Sequence, residues 1–299
     1  MTVGFADRLL EAVSHAGAPL CVGIDPFPAL MSTALFGDPR QDPEALVRFG
    51  AALIEATAPY AACFKPQLGL FEPFGPDGYA AARTLCAVAR DMGRLTILDA
   101  KRGDIGSTAE GYAQASLGPF PGFDADCVTV NPYMGADTLA PFLSLAAAQS
   151  KGVAVLVRTS NPGARDLQDL RVGDEPLWAQ TARMLAPLTA PLLGESGFSG
   201  LMVVAGATYP EEAKALRALL PKALFLVPGY GAQGAGAKDA LAGFVRGPDG
   251  LKRGGVVNSS RGIAYPKGAE GASSMAAWRA LIAAAAKAAQ EDLAAAAVD

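Results

Sequence analysis

Eight short apolar runs alternate with longer amphipathic segments along this chain. The runs are rich in Val, Ile, Leu and Phe without strict alternation, which is typical of parallel strands that helices cover on the outside. The predicted strands are residues 20–25, 63–67, 95–101, 127–132, 153–160, 201–207, 224–228 and 255–259. The amphipathic segments, predicted to be helical, are residues 45–55, 79–92, 136–150, 176–188, 209–220 and 275–298. This alternation predicts an α/β fold, a closed (β/α)₈ TIM barrel with parallel strands inside and helices outside.

A doubly wound open sheet is the alternative architecture. No GxGxxG sequence follows the first predicted strand, where an open dinucleotide-binding sheet would carry one. Polar residues also follow most of the predicted strands, and the carboxyl ends of strands converge on one face only in a barrel. We therefore expect residues 1–299 to form a single barrel domain, with insertions at 118–126 and 166–200.

Composition excludes several classes of partner. The formal charge is −4, from 25 Lys and Arg against 29 Asp and Glu, and no basic cluster is longer than Lys252-Arg253. Nucleic-acid and membrane partners are therefore not expected, and no apolar run is long enough to span a bilayer. The single histidine, His15, falls in a predicted N-terminal helix away from every strand end, which argues against histidine-dependent triads and multi-histidine metal sites.

The cysteines and the start of the chain indicate a reducing compartment. The four cysteines lack CxxC or Cys/His metal spacing, and most lie in apolar runs, so we expect buried free thiols. The first residues are charged and amphipathic, unlike a secretory signal. Both features favour a cytoplasmic location.

Charged residues end the third predicted strand, in the sequence DAKRGDI at residues 99–105. Asp99 and Lys101 share a face with Ile97, so both should point into the barrel. Charged side chains there carry a large desolvation cost unless they are paired with opposite charges or serve a function. Lys65 ends the neighbouring strand and should reach them, since opposite charges ~4 Å apart attract by roughly 4 kcal/mol at an effective dielectric constant of about 20.

Two interpretations of this charged group remain open from the residues alone. It could be an internal salt-bridge network that orders one end of the barrel. We favour a catalytic array because four charges, those of Lys65, Asp99, Lys101 and Asp104, fall on adjacent strand ends. An Asp beside a Lys suits proton delivery to a carbanion, and it also suits Schiff-base chemistry.

A glycine-rich loop after the seventh predicted strand has the composition of a phosphate site. Residues 228–236 contain one amide side chain, Gln233, and Arg261 follows the next strand. Backbone N–H groups, an amide and a guanidinium suit a phosphate, and late-strand phosphate sites are common in barrels. The glycines alone would fit an ordinary turn; Arg261 favours a binding role.

The charged run belongs to a recognisable signature. Residues 99–108 resemble the DxKxxDI…T signature of orotidine 5′-phosphate decarboxylases, and the wider sequence resembles their larger bacterial (type 2) subgroup. Further matches follow in family order over residues 22–263: VGIDP (22–26), FKPQ (64–67), TSNPG (159–163), VVAGAT (203–208), VPGYGAQG (227–234) and NSSRGI (258–263).

The resemblance implies a reaction and a role for each residue. Orotidine 5′-monophosphate would lose CO₂ to give UMP in de novo pyrimidine biosynthesis, with no cofactor and no metal. Asp99 would lie against the substrate carboxylate, and Lys101 would stabilise the carbanion and then donate a proton. Lys65 and Asp25 would bind the ribose. The remaining substrate-binding positions would be Ser160 at the pyrimidine, and Pro228, Gln233 and Arg261 at the phosphate end.

The resemblance also implies a homodimer with shared active sites. Asp104, together with Ile105 and Thr108, would reach into the site of a second subunit. The catalytic array would then be completed only by two copies of the chain.

Three rival functions remain. A metal-dependent β-keto-sugar-phosphate decarboxylase or aldol-type synthase of the same superfamily shares DxKxxD and would use Mg²⁺. A Schiff-base aldolase would use Lys65 or Lys101 as its nucleophile. A catalytically silent nucleotide-binding module would keep the phosphate end, although it would be expected to lose Asp99 or Lys101.

Overall fold

The predicted strands close into a parallel barrel in the computed structural model, which describes residues 3–231 and 234–299. The barrel strands are β1 Leu20–Ile24, β2 Cys63–Pro66, β3 Leu95–Arg102, β4 Cys127–Val130, β5 Gly152–Arg158, β6 Ser199–Ala205, β7 Ala223–Val227 and β8 Gly255–Ser259. Each pairs in parallel with its neighbours in chain order, and β8 pairs with β1 to close the ring. The predicted barrel is confirmed and the open sheet is wrong.

Alternation along each strand separates an inner from an outer core. Inward positions carry mostly small or aliphatic side chains, among them Cys21, Cys63, Ile97, Cys127, Ala154, Met202, Leu224 and Val256. Outward positions such as Val22, Phe64 and Val128 pack under the helices. All four cysteines are buried and free, as predicted. This packing fills the amino-terminal part of the barrel and leaves the carboxyl ends of the strands for polar side chains.

Helices surround the barrel. They are α1 Phe5–Ala16, α2 Glu44–Thr57, α3 Gly75–Asp91, α4 Gly106–Leu117, α5 Ala140–Gln149, α6 Leu177–Leu185, α7 Pro210–Leu219 and α8 Met275–Val298. Short helical turns occupy Thr33–Phe36, Leu68–Leu70, Glu72–Phe74, Ala136–Leu139, Ala164–Gln168, Ala186–Leu192, Ala237–Ala240 and Arg261–Ala264. The helix α4 is absent from the sequence prediction because its Gly, Ser and Ala residues give only a weak apolar stripe.

The connection from β7 to β8 departs from the strand–helix repeat. Its described residues form one short helical turn and an antiparallel hairpin, Val245–Arg246 with Lys252–Arg253. The Arg246 guanidinium donates to the Val298 carbonyl at 3.1 Å, so the hairpin is tied to the end of α8. The polar segment 246–254 thus anchors the C-terminal helix, which packs against α2 and β1. Among the described residues, no helix is long and apolar enough to cross a membrane.

Candidate active site

A cavity of about 420 Å³ opens at the carboxyl ends of the barrel strands. One side is charged or polar, with side chains from the β1–β4 half of the ring: Asp25, Lys65, Gln67, Asp99, Lys101 and Thr129. The other side is apolar where β5, β6 and β7 contribute Leu156, Val204 and Leu226. In the closed strand order β3 lies across the ring from β7, so the charges face an apolar wall.

Asp99 is the centre of the charged side, with a partner for every acceptor direction of its carboxylate. Its Oδ2 accepts from Lys65 Nζ at 2.8 Å and from Gln67 Nε2 at 2.9 Å. Its Oδ1 accepts from Lys101 Nζ at 2.5 Å and from Thr129 Oγ1 at 3.0 Å. Because a carboxylate offers about four lone-pair sites, this one is saturated and its orientation is fixed.

The charges of Lys65 and Asp99 support each other. Burial alone would lower the pKa of Lys65, yet the negative charges of Asp99 and Asp25 outweigh it and raise that pKa above its ordinary value. Burial alone would raise the pKa of Asp99, and the two lysine charges lower it far below its usual range. The pair therefore stabilises the fold between about pH 4 and about pH 10, the ordinary pKa values of Asp and Lys. This contribution to stability is lost as pH falls through the lowered pKa of Asp99, and as pH rises through the raised pKa of Lys65.

Lys101 differs from Lys65 in exposure and in backbone conformation. Its side chain is 46% exposed, against 5% for Lys65, so its ammonium faces the cavity opening. Its φ of 49° lies in the left-handed region, which costs a residue with a Cβ about 1–2 kcal/mol. The surrounding contacts hold this conformation, and they set the direction in which the ammonium points.

Asp25 presents an unused acceptor to the cavity. Within the described part of the chain its Oδ1 is buried and has no hydrogen-bond partner. Buried carboxylate oxygens are costly when unpaired, so this atom suits a hydroxyl donor on a ligand. Asp25 lines the same cavity as Lys65, and its charge contributes to the raised pKa of that lysine.

Ser160 lies on the loop after β5 and also lines the cavity. Its backbone is packed closely against Gly206, the residue after β6, since a Cβ at Gly206 would stand 2.9 Å from Ser160 Cα. The neighbouring Thr159 is held by Gln168, whose Oε1 accepts from the Thr159 N–H at 3.0 Å. These contacts fix the loop that presents the Ser160 side chain.

The predicted phosphate end forms the rim of the cavity. Pro228, Gly229 and Tyr230 line it on one strand end and Arg261 on the next. Gly229 has a φ of 100°, a conformation that a residue with a Cβ adopts only with strain. The Tyr230 hydroxyl donates to Asp292 Oδ2 on α8 at 2.7 Å, which fixes the start of the loop. Gln233 lies outside the described residues.

Three predicted site residues stand apart from this cavity. Asp104, Ile105 and Thr108 lie at the start of α4 and are not among the side chains that line it. Asp104 Oδ1 accepts from the Ile105 N–H at 2.8 Å, and Ile105 is 62% exposed. The chain by itself therefore brings together Lys65, Asp99 and Lys101, while Asp104 is not among the described residues that line their cavity.

Sequence reasoning missed several polar residues of the cavity. Thr129 is an inward-facing hydroxyl on an otherwise apolar strand, and Gln67 follows the proline that ends β2. Asn258 and Ser260 line the cavity from β8 and the residue after it. The signal available for Thr129 and Asn258 was strand alternation, which places each on the inward face.

Comparison with known proteins agrees with this geometry. The model of the orotidine 5′-phosphate decarboxylase / HUMPS family matches residues 18–276, a range that includes all eight barrel strands. The chain belongs to this family. The match to the orotidine 5′-phosphate decarboxylase / HUMPS family model also covers every predicted site residue of this chain.

Individual members of the family are similar over nearly their whole length. The orotidine 5′-phosphate decarboxylase of Deinococcus radiodurans is 40% identical over 268 residues, which cover 90% of this chain and 92% of the relative. That of Haloarcula marismortui is 43% identical over 264 residues, 87% of each chain. The solved structure of Leishmania donovani OMP decarboxylase is 34% identical, with a TM-score of 0.77 over 99% of both chains.

Proposed function

We propose that this chain catalyses cofactor-independent decarboxylation of orotidine 5′-monophosphate to UMP and CO₂. The observation that carries the proposal is the buried Asp99, held ionised between Lys65 and Lys101 on the charged side of a cavity with an apolar opposite wall. The chain belongs to the orotidine 5′-phosphate decarboxylase / HUMPS family, and the relatives reported above are named after this reaction. The reaction serves pyrimidine biosynthesis in the cytoplasm, where four buried thiols stay reduced.

The ionised Asp99 acts on the substrate carboxylate. Two carboxylates in contact repel, and Asp99 cannot turn away because four hydrogen bonds fix it. The C6–CO₂ bond breaks and its electron pair stays on C6, so the repulsion falls as neutral CO₂ forms. The repulsion is therefore stronger in the ground state than in the transition state, and this difference lowers the activation barrier.

Lys101 supplies the opposite charge and the proton. Its ammonium stabilises the pair of electrons left on C6 and then transfers an N–H proton to that carbon, giving the C6–H bond of UMP. The neutral amine regains a proton from water, which its exposed side chain can reach. Lys65, fully enclosed, keeps its charge and holds Asp99 and a ribose hydroxyl, while Asp25 accepts from the ribose.

The raised pKa of Lys65 argues against Lys65 as the nucleophile of a Schiff-base aldolase. A lysine that attacks a carbonyl must lose its proton first, and the charges of Asp99 and Asp25 keep the Lys65 pKa above its ordinary value. The metal-dependent alternative is left to the chelator experiment below, because Mg²⁺ is usually held by only one or two carboxylates together with the substrate and water.

Turnover in the presence of a chelator tests the proposal. Purified protein with orotidine 5′-monophosphate and EDTA is expected to release CO₂ and lose orotate absorbance, with kcat of order 1–10³ s⁻¹. In D₂O the UMP formed should carry deuterium at C6. Absence of turnover would sink the proposal, and UMP binding without turnover would instead favour a nucleotide-binding module. Activity lost with EDTA and restored by Mg²⁺ would favour the metal-dependent enzyme.

Arg261 is assigned to the substrate phosphate. Replacing it with alanine is expected to weaken UMP binding and raise KM by about 10- to 100-fold, because a charge-assisted hydrogen bond to the phosphate is lost. Binding of uridine, which lacks the phosphate, should be unchanged. Arg40→Ala is the matched control, since Arg40 pairs with Asp38 on the surface. Equal losses for UMP and uridine would contradict the assignment.

We also propose that two copies form a dimer with shared sites. Ile105 is 62% exposed, and Tyr133 and Met134 are 78% and 44% exposed. Met134 lies next to Gly103, two residues before Ile105, since a Cβ at Gly103 would stand 3.7 Å from Met134 Cε. Covering these side chains with a second copy of the chain would remove them from water. The same contact would carry Asp104, with Ile105 and Thr108, toward the cavity of the other subunit.

A further inference from the structure

Thr129 connects the two reactive residues of the charged array. It lies on β4, is 1% exposed, and its hydroxyl is both a hydrogen-bond donor and a hydrogen-bond acceptor. Thr129 Oγ1 accepts from the Lys101 N–H at 2.9 Å and donates to Asp99 Oδ1 at 3.0 Å. One hydroxyl therefore orients the backbone of one residue and the carboxylate of the other.

The pairing of β3 with β4 explains why a side chain is needed there. The strands pair regularly at Ile97 and Leu98, and the register then shifts before Arg102. Lys101 lies inside that irregularity with its backbone in the left-handed region. Its N–H is bonded to the Thr129 hydroxyl at this point. A side-chain hydroxyl thus binds the backbone N–H of Lys101 where the pairing of β3 with β4 is irregular.

We infer that Thr129 is a positioning residue, whose hydroxyl holds Lys101 in the left-handed conformation that aims its ammonium at Asp99 and the reacting carbon. The inference rests on the proposed roles of Asp99 and Lys101. Its effect is on the chemical step, since the ribose and phosphate contacts come from other strand ends.

Removing the hydroxyl at constant shape tests the inference. Thr129→Val is expected to lower kcat by about 10- to 100-fold, because a small misplacement of a reacting group is costly. KM for orotidine 5′-monophosphate and the dissociation constant of UMP should stay within about threefold of the wild type if binding groups are untouched. Thr129→Ser, which restores the hydroxyl, should recover most of kcat. If Thr129→Val does not fold, kcat and KM are measured for Thr129→Ala instead.

Thr57 provides the matched control. It is fully buried on α2, and its hydroxyl donates to the Leu53 carbonyl at 2.7 Å, with no side chain of the cavity involved. Thr57→Val should cost stability without changing kcat. The inference is overturned if Thr129→Val keeps wild-type kcat, if Thr129→Ser is as impaired as Thr129→Val, or if KM rises as much as kcat falls. Failure of the proposed function is distinguishable, because the wild-type protein itself would then not release CO₂.

Discussion

Replacing Lys101 with alanine is expected to lower kcat for orotidine 5′-monophosphate by at least about 10⁴-fold, since one side chain supplies both charge stabilisation and the proton. The fold should survive, because Lys65, Gln67 and Thr129 still bond Asp99. Binding of UMP should persist, because the phosphate end and the ribose contacts are intact. Steady-state kinetics and UMP titration measure the two effects separately.

A lysine elsewhere on the barrel provides the control for this substitution. Lys222 is exposed and directly precedes β7, so it lies at the amino-terminal end, opposite the cavity. Lys222→Ala should keep wild-type kcat. If Lys101→Ala keeps more than a few per cent of wild-type kcat, Lys101 is neither the proton donor nor the main stabiliser of the carbanion.

Mixing two inactive variants is expected to restore activity. Lys101→Ala and Asp104→Ala should each be nearly inactive, because each damages both sites of its homodimer. In an equimolar mixture with free subunit exchange, half the dimers are hybrids with one intact site, so activity should reach about a quarter of the wild-type value. The intact site combines Lys101 of one subunit with Asp104 of the other. Activity is followed while exchange is monitored with differently tagged subunits.

The matched control for mixing uses two residues of the same array. Asp99 and Lys101 lie 2.5 Å apart in one chain, so a mixture of Asp99→Ala with Lys101→Ala leaves every site damaged. That mixture should stay inactive at any ratio. If the Asp104→Ala mixture also stays inactive although tagged subunits exchange, Asp104 does not serve the second subunit.

Much of the barrel is predictable because its signals are local. Strand composition marks β1 to β8 to within one or two residues at most ends, and the buried pattern of β3 places Asp99 with Ile97 on the inner face. Period-two alternation needs no tertiary information. The helix α4 was not predicted because its small residues give a weak apolar stripe, although tertiary packing makes this segment helical.

The arrangement within the site depended on contacts between distant parts of the chain. Thr129 stands 30 positions after Asp99 in the sequence and touches it only because β3 and β4 pair. The left-handed backbone of Lys101 opposes local preference, so no local pattern predicts it. The same holds for the split of the cavity into a charged and an apolar side, which exists only once the ring has closed.

The sequence by itself determined the barrel, the inward direction of Asp99, and the family, because residue type and spacing along each strand carry that information. The direction of the Lys101 ammonium depends on the contacts that hold its backbone in the left-handed region. Only the tertiary structure decided which groups surround the Asp99 carboxylate, and that Asp104 stands apart from the cavity of its own chain. The physical reason is that hydrogen bonds and charge pairing act over a few ångströms. Strand pairing and loop direction, rather than sequence separation, therefore determine which side chains interact.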